Sequence, residues 1–375
     1  MSFNPNQMNN ISNTELMLLV MSNIIGIGIL SMPNMIANKT LFSDGWIVLL
    51  LAGFISAILG WICTKLSAQF PKHSFFEYTS TLISKPFAFI LTLMAVCMYL
   101  CMAAYEARGI SIVVNIYLMD DTPLEIIALV FLLVITYGLS ISRIALLRLN
   151  IWFLLIVLVV LLFLITLNIN IMKLENLFPI FVTAPNNYLK SMENTAFTFS
   201  GFEIVLFYTS LIQKPKQAPK YVFKGILLLT LIYILIYLVC VLVLSQPVIK
   251  DLTYPVIELG KGIQIRGGFL ERFDALFFTT WVIKLFTTTI MYIDISLIAF
   301  CSIFKTISKK TFIFIFMPVI YCIAFIPSSM SELSKFGYKL SLFNLGYLIL
   351  VPACLLILTF IKRYLNNASK ESSHP

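Results

Sequence analysis

The sequence predicts an all-α integral membrane protein of ten transmembrane helices, built as a 5+5 inverted repeat with discontinuous helices 1 and 6. Three observations carry this reading. Sixty per cent of the 375 residues are hydrophobic and only 11% are charged, against about 25% charged in a soluble domain, and the mean hydropathy is +0.96. Apolar runs close to the ~20 residues that cross a bilayer recur along the whole chain. Gly26-Ile27-Gly28 interrupts the first run and Ser200-Gly201 the sixth, with Gly26 and Gly201 at 175 residues' separation.

The first span, 13–37, follows polar residues that lack Lys and Arg, so the start of the chain does not read as a cleaved signal peptide. Its centre runs Asn23-Ile24-Ile25-Gly26-Ile27-Gly28 and continues to Met32-Pro33, which puts poor helix formers at membrane depth. Spans at 45–67, 86–118, 123–140 and 145–168 complete a first repeat over about 13–168. The third is too long to stand upright and should tilt. The second repeat, about 190–361, takes spans 190–212, 221–245, 269–304, 311–327 and 340–361, of which the ninth is the shortest. A short tail, 362–375, closes a single polytopic domain over 1–375.

Net charge is +9, and its placement speaks for topology rather than nucleic-acid affinity. One set of alternate loops holds most of the basic residues, among them Lys65, Lys72, Arg143, Arg148, Lys214, Lys216, Lys309 and Lys310. The opposite set holds fewer, including Lys39, Lys173, Lys250 and Lys335. The positive-inside rule then places both termini in the cytoplasm. The seven cysteines fall within spans and read as small buried hydrophobes, and the two histidines, His73 and His374, lie in a loop and in the tail. No Ser-His-Asp, HExxH, Walker or CxxC pattern is present, so neither an enzyme nor a metal or other cofactor is expected.

Broken backbone in hydrocarbon survives only where it is buried in protein or lines a cavity, and there it offers oriented peptide groups to a ligand. Matching interruptions in two halves point to a transporter-type site. The competing reading is that both glycines only let helices pack closely. Five ionisable residues lie within spans: Glu106, Arg108, Glu203, Lys284 and Asp294. Each costs at least ~2.5 kcal/mol on insertion scales, so they are either structural pairs or ligand- or ion-coupling groups. Glu106 and Arg108, two residues apart, face nearly opposite sides and cannot neutralise each other. A Glu203–Lys284 pair is the expected partnership.

Several segments resemble the spore germination permease family. They are Asn23-x-x-Gly26-x-Gly28, Asp44-Gly45-Trp46, Tyr105-Glu106-Ala107-Arg108, Gly201-Phe202-Glu203-Ile204-Val205-Leu206-Phe207, and Leu270-Glu271-Arg272-Phe273-Asp274 with Trp281. Their order and spacing cover about residues 12–363. The resemblance implies the LeuT-like fold of the amino acid–polyamine–organocation superfamily. It implies the B subunit of a nutrient germinant receptor in the spore inner membrane, working with an A subunit and a C lipoprotein.

For a small nutrient such as an amino acid, backbone at the breaks offers N–H groups to a carboxylate and carbonyls to an ammonium. The expected ligand-binding set is Asn23, Ile24, Gly26 and Gly28 on the first span and Phe197, Ser200 and Gly201 on the sixth. The fold the resemblance implies places the third and eighth spans beside them. Tyr99, Met102 and Glu106 share one face of the third, and Lys284, Thr288 and Tyr292 one face of the eighth; ordinary helix packing would give the same stripes. The loop 246–268 reads equally as a lid, a docking surface or a solvated loop. Ligand sensing is the leading function. A proton- or sodium-coupled amino acid transporter, or a ligand-gated ion or water channel, is the alternative.

Overall fold

The computed structural model describes residues 10–262 and 273–371. Helix α1 (Asn13–Ile24) starts at a capping box in which the Ser12 hydroxyl accepts from Glu15 N–H and Glu15 returns the bond to Ser12 N–H. It breaks at Ile25-Gly26-Ile27 and resumes as α2 (Gly28–Ala37), bent by 59°. Then follow α3 (Gly45–Ser67), the short α4 (Phe75–Leu82), α5 (Lys85–Tyr117), α6 (Leu124–Gly138) and α7 (Arg143–Leu167).

The sixth span is broken more thoroughly than the first. Helix α8 (Pro185–Thr195) passes into a 3-10 turn (Ala196–Phe199), a kink at Ser200-Gly201, a second 3-10 turn (Phe202–Ile204) and the single turn α9 (Val205–Tyr208). Beyond it lie α10 (Ala218–Leu244), α11 (Gln246–Asp251), α12 (Pro255–Lys261), α13 (Phe273–Ile303), α14 (Lys309–Ala324) and α15 (Met330–Glu371). Among the described residues, six helices are long and apolar enough to cross a membrane, and the bent α1–α2 pair makes a seventh. Helix α6 and the second part of the broken sixth span, Phe202–Leu211, are shorter apolar pieces.

Most boundaries match the sequence expectation within a few residues, and three differ. The sixth span begins at Pro185 rather than 190. The tenth is not confined to 340–361, because α15 starts at Met330 and continues through most of the expected tail to Glu371. Hydropathy marks the immersed length of a helix, whereas backbone hydrogen bonding carries on through polar ends. The eighth span's first residues, 269–272, lie outside the described residues, as does Leu270-Glu271-Arg272.

Helix α3 packs on α10, α5 on α13, and α13 on α7, with α1 between α7 and α10. Small residues allow the closest of these approaches: a side chain at Gly53 would run into Thr230 of α10. The two broken spans lie side by side in opposite order. Ile11 N–H donates to Leu211 O at 2.8 Å and Gln213 N–H to Ile11 O at 3.0 Å at one end, while Asn23 meets Gly201 at the other. The loop after α10 is a helical clamp, with 263–268 outside the described residues. Gln246 Nε2 donates to Ala37 O and Thr40 O at 3.0 and 2.8 Å, and Asn34 Nδ2 to Ile249 O and Lys250 O at 3.1 and 2.9 Å. These bonds cap the end of α2, so this part of the loop is neither free nor merely solvated.

Candidate functional site

The first break leaves peptide groups that must be satisfied inside the protein. At the carbonyl end, the Tyr233 hydroxyl of α10 donates to Ile24 O at 3.2 Å and the Thr288 hydroxyl of α13 lies 3.4 Å from Ile25 O. At the donor end, Ile27 N–H donates to the carboxylate of Glu106 from α5, which also takes the Thr289 hydroxyl at 2.8 Å. A β-carbon at Gly26 would stand 2.5 Å from Glu106 Oε1. Glycine at this position admits a carboxylate to the start of α2, where the helix dipole favours negative charge.

The second break is built alike. Gly201 has φ +122°, a conformation open to glycine at little cost, and its N–H donates to Glu203 Oε2 at 2.7 Å. Asn23 Nδ2 donates to Gly201 O at 3.0 Å. Asn344 Nδ2 of α15 lies 3.0 Å from Ser200 Oγ and 3.1 Å from Glu203 Oε1. The Tyr233 hydroxyl is also 3.4 Å from Thr198 O, so one residue of α10 stands between both breaks. One peptide donor at each break, Ile27 N–H and Gly201 N–H, is thus held by an acid of the chain itself.

Tyr99 and Tyr292 stack with centroids 6.1 Å apart, and Phe207 meets Tyr99 edge-on at 5.6 Å. Tyr99, Met102, Thr288 and Tyr292 are all buried, which describes a closed centre. Lys284, fully buried, does not pair with Glu203. Its Nζ donates to Asn150 Oδ1 at 3.0 Å and Thr288 Oγ1 at 2.9 Å, and the acid acting on it is Glu106. Glu203 sits instead among Gly201, Ser200 and Asn344. The expected pair fails because helix rotation turns Lys284 toward α7, which a linear sequence does not reveal.

Asp294 belongs to a separate network, holding Arg143 Nε at 2.7 Å, Lys309 Nζ at 3.7 Å and the Tyr208 hydroxyl at 2.9 Å. Arg108 makes no bond to Glu106; its guanidinium lies 4.6 Å over the Phe325 ring, with Nε and Nη1 unpartnered among the described residues. Phe197 lies in the 3-10 turn Ala196–Phe199, its side chain outside what is described. Sequence reasoning missed Asn150, whose Oδ1 also accepts from the Ser22 hydroxyl at 2.8 Å, and with it Ser22, Tyr233, Thr289 and Asn344. Two were discoverable in principle: Asn150 and Asn344 are amides inside apolar spans, where an unsatisfied polar group is costly.

Ser200 and Asn344 also line a cavity of about 340 Å³ between α3, α8 and α15, together with Ser56, Glu193, Phe202 and Ser341. Ser341 Oγ and Asn344 Oδ1 are buried there without a partner among the described residues. The second break is therefore approached by a polar-ended cavity.

A family model described as spore germination protein matches residues 10–333. The chain belongs to this family. It is 47% identical over 355 residues to spore germination protein GerLB of Bacillus cereus, covering 94% of this chain and 95% of that protein. It is 25% identical to spore germination protein YndE of Bacillus subtilis (strain 168), over 93% and 96% of the two chains. Spore germination protein A2 of the same organism is 28% identical over 73% of this chain and 75% of its own length. Among solved structures, this germination protein resembles Mhp1, a nucleobase-cation-symport-1 family transporter in a closed conformation with bromovinylhydantoin bound. The TM-score is 0.67 at 12% identity, over 88% of this chain and 75% of Mhp1. That likeness shows a transporter fold.

Proposed function

We propose that this germination protein is the ligand-sensing membrane subunit of a spore nutrient germinant receptor. It spans the spore inner membrane ten times as a LeuT-like 5+5 inverted repeat, with both termini in the cytoplasm, and signals through an A subunit and a C lipoprotein. Its ligand is a small nutrient, an amino acid by preference, and it performs no catalysis and needs no cofactor. One observation supports the reading above others: the two breaks abut at Asn23–Gly201, with Tyr99, Met102, Ser200, Thr288 and Tyr292 contributed by the elements around them.

Glu106 at the start of α2 changes how such a ligand would be read. A carboxylate already occupies the donor end of the break at Ile27, so the ligand's ammonium is the group that gains from Glu106 and from the carbonyls of Ile24 and Ile25. Lys284 and the Thr288 hydroxyl are the cationic and donor groups for its carboxylate, which would exchange for their present partners Asn150 and Ile25 O. Binding shifts the closed centre toward a second conformation by the difference in affinity between the two.

Germinant profiling of spores tests this. Substituting Met102, Ser200 and Thr288 with the residues of a receptor of different specificity should move the response profile with them, and an unchanged profile overturns the site. Uptake of labelled amino acid by the isolated chain in proteoliposomes would instead favour transport.

A further inference from the structure

A cavity of about 760 Å³ lies at the Lys-rich end of the bundle, between the end of α3, the segment 214–217 and α15. Lys65, Lys214 and Lys216 line it with Gln69, Pro71 and Phe360, and among the described residues no acid lines it. Lys65 Nζ sits 4.3 Å over the Trp61 ring and 5.9 Å from that of Phe360, so its charge is held at the level of two aromatic rings. A second, mainly apolar cavity of about 390 Å³, lined by Ile58, Trp61, Lys220 and Phe223, lies between α3 and α10. Ile58, Trp61, Lys65 and Ala68 follow one another at three- and four-residue steps, so a single face of α3 borders both cavities.

We infer that this edge of the protein is a binding site for an anionic phospholipid, with the phosphate headgroup under Lys65, Lys214 and Lys216 and an acyl chain along the α3–α10 groove. Three cations without a lining acid fit a phosphate. Phe360 of the lysine cleft and Ile58 of the neighbouring groove are 50% and 39% exposed on helices apolar enough to cross a membrane, and a soluble anion gains nothing from either. Tryptophan is enriched at membrane–water interfaces, and Trp61 stands between the two cavities on α3. Basic pockets between transmembrane helices hold lipid headgroups in this way.

Native mass spectrometry of the full chain, exchanged into phosphatidylglycerol or phosphatidylcholine, tests the site. Wild type should retain phosphatidylglycerol preferentially. Lys214→Gln with Lys216→Gln should lower that retention about thirtyfold, at roughly 1 kcal/mol per lysine. Both lysines are exposed, so the thermal midpoint should not move. The pair Lys224→Gln and Lys310→Gln removes the same charge from residues that line neither cavity and should leave retention unchanged. Equal losses in the two pairs, or equal retention of the two lipids, would overturn the proposal. Inorganic phosphate that raises the midpoint of the lipid-free wild type but not of the Lys214/Lys216 variant would reassign the cleft to a soluble anion.

Discussion

Gly201 stands against the backbone of Asn23: a β-carbon on it would lie 2.6 Å from Asn23 O and 3.0 Å from Ile24 N. The backbone of the first broken span therefore rests directly on the α-carbon of Gly201. Neither neighbouring atom can rotate away, and the φ of +122° disfavours any other residue. Gly201→Ala should destabilise the protein by about 1–3 kcal/mol, read as a lower unfolding midpoint in detergent. Gly346→Ala, with nothing within 4 Å of its added carbon, should leave that midpoint unchanged or raise it.

Gly26→Ala meets a side chain instead of backbone, since its methyl group would press on the Glu106 carboxylate. The fold should survive while Glu106 swings off Ile27 N–H, and spores carrying the variant should lose their response to germinant. Adding Glu106→Asp withdraws the carboxylate by one methylene and should restore part of the response, measured as the rate of optical-density loss. No recovery in the double variant would separate Gly26 from Glu106.

Lys284 and Glu106 should be energetically coupled and Lys284 and Glu203 should not. A double-mutant cycle of Lys284→Met with Glu106→Gln, read by thermal unfolding, should give an interaction term of about 1 kcal/mol or more. The cycle with Glu203→Gln should be additive.

Asp44 ties the loop before α3 to the loop before α8. Its carboxylate accepts from the N–H groups of Phe181, Val182 and Thr183 at 2.6, 2.9 and 2.8 Å, and from the Tyr188 hydroxyl at 3.1 Å. Burial alone would raise its pKa, but the bonds from Thr183, Phe181 and Tyr188 outweigh burial and hold it below the ordinary value of 3.8. A folded pKa below the unfolded one gives stability that is complete above the unfolded value and fades as pH falls through the folded value. Asp44→Asn should therefore cost about 2 kcal/mol near neutral pH. The gap to wild type should stay constant from pH 7 to about 5 and close below about pH 4.

The two glycine breaks and most span ends were legible because membrane depth penalises every unpaired peptide group and every charge. Asp44-Gly45-Trp46 was visible as a motif, though its work as an anchor for Phe181–Thr183 needed the fold. Helix α4 lies between the expected spans 45–67 and 86–118 and is too short to show in hydropathy, although Ser74 and Glu77 form a capping box whose spacing is readable in sequence. The partners of Lys284 and Glu203 were not legible, because they depend on how α13 and α15 are rotated against their neighbours. Nor was the role of Glu106 at α2, since a side chain from another helix filling a backbone gap leaves no local pattern.

Helix α15 runs 42 residues, about 63 Å at the α-helical rise, against a hydrocarbon core near 30 Å. It carries Asn344, which holds Glu203 and Ser200, and Phe360, which walls the lysine cleft. Pro352 lies between them as its interior proline, the place where a helix bends most easily. One helix thus touches the broken span at one height and the membrane-facing lysine cleft at another, with its proline between the two contacts.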